Sequence, residues 1–170
     1  RPCPYGTVLI LAPWNYPVQL SLVPMVSALA AGNCVLLKPS ELAPASSALL
    51  ARLIPEYLDR EAVAVLNGPA ELAAQCSALP LDYIFFTGSS AVGLEMVREA
   101  AVMRPGQVNV KHVVAEMGGK NAIIVDDDAD LGAAADAVAA SAFGFGGQKC
   151  SACSRVIVLE SVRDAFLQQL

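Results

Sequence analysis

The amino-acid sequence predicts an α/β protein in which a parallel β-sheet is flanked by helices. Two observations support this fold class. First, apolar runs of about five residues alternate with longer segments of helical periodicity along the first hundred residues. Second, these short runs are almost wholly apolar, as in V-L-I-L-A and C-V-L-L-K, which is typical of strands buried on both faces of a sheet. Because each crossover helix must lie back across the sheet, this alternation favours parallel pairing.

Turn residues delimit the first four strands and the helices that follow them. Gly32 and Asn33 end the first helix, Asn67 and Gly68 close the third strand, and Thr87 begins the turn that opens the fourth helix. The strands are predicted at residues 8–12, 34–38, 62–66 and 83–86, and the helices at 18–31, 44–58, 70–77 and 91–101.

The organisation changes after residue 101. A polar, turn-rich link covers residues 103–109, and a charged turn covers 126–128. Further strands are predicted at 111–116, 121–125 and 155–159, with an Ala-rich helix at 129–143 and an amphipathic helix at 161–170. Arg1 stands where an initiator Met would be and the first strand begins almost at once, so we expect a segment of a longer protein.

Composition argues against several classes of function. The 170 residues carry a net charge of −5, so there is no basic surface for nucleic acid. The apolar stretches are interrupted before they reach the length of a membrane span, and no signal-peptide pattern opens the chain, so we expect a cytoplasmic protein. Five cysteines at irregular spacings predict reduced thiols and no metal site. The C-x-x-C formed by the last two leaves redox or metal use as an alternative.

Cys150 is the candidate nucleophile because it follows a Gly-rich run, where a substrate can approach a thiol. Glu116, at a Gly-Gly turn, can activate a water molecule, and a turn-capping acid is the alternative. His112 is the only histidine and shares strand parity with Glu116, but it is most simply a strand residue. Asn15 can donate to a developing oxyanion together with the backbone N–H of Cys150, or it is an ordinary turn residue.

Two strand ends predict a nucleotide site on the carboxyl edge of the sheet. Gly88 and Ser89 lie between a strand and a helix, which offers backbone N–H groups and a helix N-terminus to an anion. Lys38 and Glu41 follow a second strand and suit the hydroxyls of a ribose. A plain helix cap at Ser89 and solvated charges at the Lys–Glu pair are the alternatives. Both sites on one edge together point to a dinucleotide.

Five motifs occur in the order found in the aldehyde dehydrogenase superfamily, which the chain resembles over essentially its whole length. They are P-W-N-Y-P at 13–17, K-P-S-E at 38–41, F-T-G-S at 86–89, E-M-G-G-K at 116–120 and G-Q-K-C at 147–150. The resemblance implies a Rossmann-like NAD(P)-binding domain, of which residues 1–117 are part, and the start of a second α/β catalytic domain at 118–170, which is incomplete.

The resemblance also implies a role for each matching residue. Cys150 attacks an aldehyde to form a thiohemiacetal whose oxyanion is held by Asn15, and the thioester left after hydride transfer is hydrolysed with the help of Glu116. The cofactor is NAD, with NADP as an alternative, because Glu41 would repel a 2′-phosphate. The residues that contact the cofactor are Pro13, Trp14, Lys38, Glu41, Gly88, Ser89 and Gly118.

The substrate suggested by the resemblance differs between the two ends of the chain. Residues 4–41 resemble class 3 fatty or aromatic aldehyde dehydrogenases. From about residue 85 onward the chain resembles the 1-pyrroline-5-carboxylate dehydrogenases of proline catabolism, which oxidise glutamate semialdehyde. We expect glutamate semialdehyde first, a homo-oligomeric full-length protein, and no activity in the isolated 170 residues. The alternatives are a non-catalytic nucleotide-binding module and a thiol-dependent hydrolase without a cofactor.

Overall fold

The structure is a computed structural model that describes residues 3–170, so the expectation drawn from Arg1 lies outside the described residues. Seven strands and six helices alternate along the described chain. They are β1 Thr7–Leu11, α1 Gln19–Ala30, β2 Cys34–Lys38, α2 Pro44–Tyr57, β3 Val63–Val65, α3 Ala70–Ser77, β4 Tyr83–Gly88, α4 Ser90–Ala100, β5 His112–Met117, β6 Asn121–Val125, α5 Leu131–Phe143, β7 Cys153–Val158 and α6 Arg163–Leu167. The chain divides into two compact units between Met117 and Gly118.

The first unit contains a five-stranded sheet in the order β3-β2-β1-β4-β5, and every neighbouring pair is parallel. From β1 the chain builds outward through β2 to β3, and α3 then returns it to the other side of β1, where β4 and β5 follow. The direction of winding therefore reverses between β1 and β4. In open parallel sheets this reversal opens a crevice at the carboxyl ends of the two strands, where ligands bind.

The sheet of the first unit is buried on both faces because β1 is apolar and buried from Val8 to Leu11. Val8 and Ile10 pack with α1 and α2 on one face, whereas Leu9 and Leu11 pack with α3 and α4 on the other. Leu9, Ile10, Leu37 and Ile84 have no exposed surface. Full burial of such side chains contributes about 1.5–3 kcal/mol each, so the two cores fix the sheet that presents the site.

The second unit contains the two parallel strands β6 and β7, with α5 packed against both strands and α6 packed against α5. Val125, Ala135, Val138 and Phe166 form its core. Asp130 caps α5 by accepting a hydrogen bond from the N–H of Ala133 at 3.1 Å, which explains why this helix begins after the charged turn.

The predicted fold class is confirmed, and the departures from the predicted elements are local. Strand β4 runs to Gly88 rather than to residue 86 because β5 continues the pairing to that point. Strand β7 begins at Cys153, before the predicted start, and a register shift in its pairing with β6 accommodates the extra residue. Helix α6 covers only Arg163–Leu167 of the predicted residues 161–170, since Phe166 is its single buried side chain. Over residues 3–170, no helix combines the length and apolar character needed to cross a bilayer.

Candidate active site

The carboxyl edge of the five-stranded sheet gathers side chains that are distant in sequence. Asn15 lies in the loop after β1, Lys38 ends β2, Ser89 follows β4, and Glu116 is the penultimate residue of β5. Because the strands are parallel and in register, these positions share one edge: Leu11 pairs with Lys38, and Thr87 pairs with Glu116. Asn15 and Ser89 follow β1 and β4, the two strands between which the winding reverses.

Lys38 and Glu41 form an ion pair beside this edge. The Lys38 side chain is 5% exposed, and its Nζ contacts Oε2 of Glu41, whose side chain is 37% exposed. The hydrogen bond from Lys38 lowers the pKa of the Glu41 carboxyl, and burial opposes this only in part. Solvated charges, the alternative considered from sequence, do not describe Lys38, because it is buried. The pair offers a cationic donor and a carboxylate acceptor side by side.

Ser89 is the N-cap of α4, and its Oγ accepts a hydrogen bond from the N–H of Val92 at 3.4 Å. The capping role considered from sequence is therefore present. It is compatible with an anion site, since a cap occupies one of the four free N–H groups at a helix N-terminus. Gly88 is the last residue of β4 and is half-buried. The anion site and the cofactor contact at these two residues stay predictions.

The loop after β1 presents Pro13 and Asn15, which are half-buried, and Trp14, which is 44% exposed. The helix that follows begins at Gln19 and is held to the loop by Ser21, whose Oγ donates to the carbonyl of Pro17 at 2.6 Å. The position of these three residues beside the winding reversal is the one that ligand-binding residues occupy in such sheets.

Glu116 and His112 lie at opposite ends of β5. Glu116 is exposed at the carboxyl edge, whereas His112 begins the strand, about 13 Å away at the usual rise per residue. The His112 ring packs 4.7 Å from that of Tyr5 and stacks on Tyr83 at 6.2 Å. His112 is therefore a strand residue of an aromatic cluster at the amino edge, which favours the simpler of the two interpretations made from sequence.

Cys150 belongs to the second unit, where it lies in a turn between α5 and β7 as an exposed free thiol. A 3₁₀ segment, Gly144–Gly147, precedes it and contains left-handed residues, including Phe145 at φ 58°. The turn is tied to α5 through Ser141, whose Oγ accepts from the N–H of Cys153 at 3.2 Å. Because Asn15 and Glu116 belong to the first unit, the meeting of all three at one carbon stays a prediction.

Gly118 and Gly119 open the second unit and have different surroundings. A Cβ built on Gly118 meets no atom within 4 Å, so this exposed residue has room around it. A Cβ built on Gly119 lies 2.7 Å from the carbonyl oxygen of Cys150 and 2.5 Å from Oδ1 of Asn121. Gly119 therefore allows the segment before β6 to approach the turn that carries Cys150. This role was not predicted from the sequence, although the Gly-Gly pair was a signal for it.

The remaining cysteines have structural surroundings or lie away from the turn. Cys153 is buried, and its Sγ contacts the carbonyl of Arg155 at 3.2 Å. Cys76 is buried on one face of the first sheet, and burial raises the pKa of its thiol while the Lys38 charge acts in the opposite direction. Within the described part of the chain, no three His, Cys, Asp or Glu side chains come together in a way that could hold a metal ion.

A cleft of about 210 Å³ opens next to Glu41, between the loop after β2 and the loop after β3. Ser47 and Asn67 border it and were not among the site residues predicted from sequence. The sequence marks Asn67 only as a turn residue and gives no signal for Ser47, because their contact depends on how α2 folds back on the sheet. The residues that line the cleft are Pro39, Glu41, Pro44, Ser47, Asn67 and Gly68.

The first unit has the arrangement of α/β dinucleotide-binding proteins. Its parallel sheet is open, the winding reverses at the centre of the sheet, and charged and capping residues lie on the carboxyl edge. The chain itself belongs to the aldehyde dehydrogenase family, since the model of that family matches residues 1–170. The resemblance found from the five motifs is thereby confirmed.

The relatives include both groups that the motifs indicate. The 1-pyrroline-5-carboxylate dehydrogenase of Geobacillus thermodenitrificans is 43% identical over 170 residues, and aldehyde dehydrogenase family 3 member B3 of Mus musculus is 41% identical over 167 residues. These alignments cover 98% of this chain but only 33% and 34% of the relatives. The chain thus spans about a third of the length of the curated relatives it matches.

Solved structures agree with the fold. The structure of 1-pyrroline-5-carboxylate dehydrogenase from Thermus with bound NAD superposes with a TM-score of 0.92 at 39% identity, over 98% of this chain and 33% of that one. The substrate-bound state of Staphylococcus aureus AldH superposes with a TM-score of 0.90 at 40% identity, over 99% of this chain and 35% of that one.

Proposed function

We propose that these residues serve the NAD(P)-dependent oxidation of an aldehyde to a carboxylate, with Cys150 as the nucleophile. The observation that carries the proposal is the gathering of four motif residues from the ends of four strands, or the loops that follow them, at one edge of one sheet, in a chain of the aldehyde dehydrogenase family. These residues are Asn15, Lys38, Ser89 and Glu116.

The first unit fits a dinucleotide cofactor. Lys38 and Glu41 provide a donor and an acceptor for ribose hydroxyls, and the cleft beside Glu41 gives room for part of the nucleotide. The N-terminus of α4 at Ser89 offers N–H groups to the pyrophosphate, and Pro13, Trp14 and Gly88 complete the contacts expected of the first unit. Gly118, the first residue of the second unit, is the remaining residue expected to contact the cofactor. NAD(P), when bound, would supply the acceptor for the hydride that a thiohemiacetal loses when it is oxidised to a thioester. Glu41 favours NAD over NADP, because its carboxylate would repel a 2′-phosphate.

Cys150 begins the reaction. Its thiolate forms a bond to the aldehyde carbon, and the carbonyl electron pair moves onto oxygen. The resulting oxyanion is stabilised by the side-chain amide of Asn15 and the backbone N–H of Cys150, which act on charge that develops only in the transition state. The exposure of the Cys150 thiol in its turn supports this role, since a buried thiol could not reach a substrate.

Glu116 completes the reaction. The carboxylate accepts a proton from water, the hydroxide adds to the thioester carbon, and the carbon–sulfur bond breaks to release the carboxylate product and the Cys150 thiolate. The exposure of Glu116 at the end of β5 supports access of water. His112 has no part in this scheme, because it lies at the opposite end of the same strand.

Glutamate semialdehyde is the proposed substrate, since 1-pyrroline-5-carboxylate dehydrogenases are among the relatives that match most of this chain. A fatty or aromatic aldehyde is the second candidate, favoured by the match to aldehyde dehydrogenase family 3 member B3. Steady-state rates of the natural full-length protein with the two kinds of aldehyde separate them, because the preferred substrate has the higher kcat/KM.

Thiol labelling tests the mechanism in that full-length protein. An alkylating agent should modify Cys150 rapidly, and aldehyde should protect it, whereas the exposed Cys34 serves as an internal control that aldehyde does not protect. Slow labelling of Cys150 without protection would support a non-catalytic nucleotide-binding module. Turnover that persists without NAD or NADP would support a cofactor-free hydrolase instead.

A further inference from the structure

We propose that Ser47 is a positioning residue for the nucleotide-binding loop, residues 38–43, and that it acts through the carbonyl group of Ser40. The inference rests on the proposed function, in which Lys38 and Glu41 bind the ribose of the cofactor. It concerns a different question, namely what holds these two side chains in place.

The loop is fixed at Ser40. The Oγ of Ser47, on the first turn of α2, donates to the carbonyl oxygen of Ser40 at 2.6 Å, and the N–H of Ala43 donates to the same oxygen at 3.2 Å. Ser40 Oγ in turn accepts from the N–H of Leu42 at 3.2 Å. Ser40 and Ser47 are 7% and 5% exposed, so water cannot readily replace the Ser47 hydroxyl as a partner. Glu41 lies between the residues that these bonds join.

The direction of the Ser47 hydroxyl is unusual for a helix. Serine within a helix commonly bonds back to the carbonyl four residues earlier. The backbone N–H of Ser47 makes that bond, to Ala43 at 3.0 Å, while the hydroxyl leaves the helix and reaches a residue seven positions away. The bond therefore joins the loop to the helix rather than supporting the helix itself.

Asn67 supports Ser47 from the neighbouring loop. Its Nδ2 donates to the carbonyl oxygen of Ser47 at 3.1 Å, which connects the end of β3 with the first turn of α2. Glu41, Ser47 and Asn67 border the same cleft. The bonds between Asn67, Ser47 and Ser40 thus hold both walls of the cleft, and the Glu41 carboxylate is presented at its rim.

Ser47→Ala removes the tie and should weaken cofactor binding without changing the chemistry. In the natural full-length protein we expect the KM for NAD and the Kd of ADP-ribose to rise about three- to ten-fold, the range for the loss of one neutral buried hydrogen bond, while kcat stays within two-fold. Ser47→Thr keeps the hydroxyl and should restore both constants. Ser46→Ala is the matched control, because Ser46 lies on the same turn but does not bond to Ser40.

A purely structural role would give a different result. If Ser47→Ala lowers the melting temperature but leaves the KM for NAD and the Kd of ADP-ribose at the Ser46→Ala values, the inference is overturned. If Ser47→Ala does not fold, Ser47→Cys takes its place, because it is nearly isosteric and its S–H is a weak donor; unchanged constants in that variant would equally refute the inference.

Glu41→Gln separates the two proposals. If it raises the KM for NAD while Ser47→Ala does not, the proposed function stands and the positioning role of Ser47 fails. If the wild-type protein binds neither NAD nor ADP-ribose, the proposed function fails, and the inference fails with it.

Discussion

Replacing Gly119 by Ala tests whether the segment before β6 and the turn that carries Cys150 must be in close contact. The added Cβ would lie 2.7 Å from the carbonyl oxygen of Cys150, about 0.7 Å short of ordinary contact at 3.4 Å. The second neighbour, Oδ1 of Asn121, ends a side chain and can rotate away. The Cys150 carbonyl is backbone, so the turn itself must shift.

The size of the effect follows from that shift. Forcing an extra carbon into a packed site costs about 1–3 kcal/mol. For a chain of this length, each kcal/mol lowers the melting temperature by roughly 2–4 °C. A displacement approaching 1 Å at a nucleophile lowers the rate by up to about 10²-fold, so kcat of the natural full-length protein should fall about ten- to a hundred-fold.

Gly118→Ala is the matched control for stability. A Cβ at Gly118 meets no atom within 4 Å, and φ at neither glycine lies in the left-handed region. Loss of backbone freedom in the unfolded chain should make this variant neutral or more stable by up to about 1 kcal/mol. The measurement is urea unfolding of wild type, Gly118→Ala and Gly119→Ala, followed by circular dichroism. Equal unfolding free energies for the two variants would refute the argument from close approach.

Three further predictions concern the first unit. Asn15→Ala should lower kcat by about 10²-fold or more in steady-state assays, because in the proposed reaction the side-chain amide stabilises the oxyanion. Glu41→Gln should lower the KM for NADP relative to that for NAD. The hydrogen bond from Lys38 lowers the Glu41 pKa below 4.5, so the ion pair stabilises the fold above pH 4.5. This stabilisation is lost as the pH falls through the lowered pKa. The unfolding free energies of wild type and Glu41→Gln should therefore converge on acidification. Lys111→Met should raise the unfolding free energy at neutral pH: the Lys111 Nζ is fully buried, 3.9 Å from Glu99, and has no hydrogen-bond partner among the described residues. Burial lowers the Lys111 pKa below 10.5, so the unfolded chain binds the lysine proton more tightly than the folded chain does. The gain in unfolding free energy of Lys111→Met over wild type, measured by urea unfolding, should therefore shrink as the pH rises toward 10.5.

The fold of the first unit could be read from the sequence because its strands are apolar at nearly every position. A run such as β1 has no polar face, so only burial on both sides satisfies it, and the helices between such runs leave few topologies. The ends of the elements were less predictable, because they depend on partners. Strand β4 extends to Gly88, beyond its predicted end, because β5 pairs with it there. Helix α6 ends before its predicted end because its later apolar residues have no surface to pack against; Leu167, for example, is 58% exposed.

The candidate site was predictable in its residue types but not in its contacts. Strand ends locate Lys38 and Ser89 because parallel strands share one edge. The sequence could not indicate that Lys38 turns inward to pair with Glu41, since a strand-end lysine is usually solvated. Nor could it indicate the bond from Ser47 to Ser40, because the distance between these residues is fixed by the turn into α2 rather than by any local pattern.

The two cysteines of the C-x-x-C differ in a way that bears on the chemistry. A redox pair needs two sulfur atoms that can meet, with Cβ atoms about 3.5–4.5 Å apart. Cys153 is the first residue of β7, is 8% exposed, and is held both through its N–H, by Ser141, and through its sulfur, which contacts Arg155. A disulfide would have to draw this sulfur out of a strand, at the expense of the contacts that hold the turn to α5. Cys150, in contrast, lies in a turn outside the strand, and its thiol is exposed. The arrangement therefore argues against a redox pair and agrees with the proposed function, in which Cys150 is the reacting thiol and Cys153 anchors the turn that carries it.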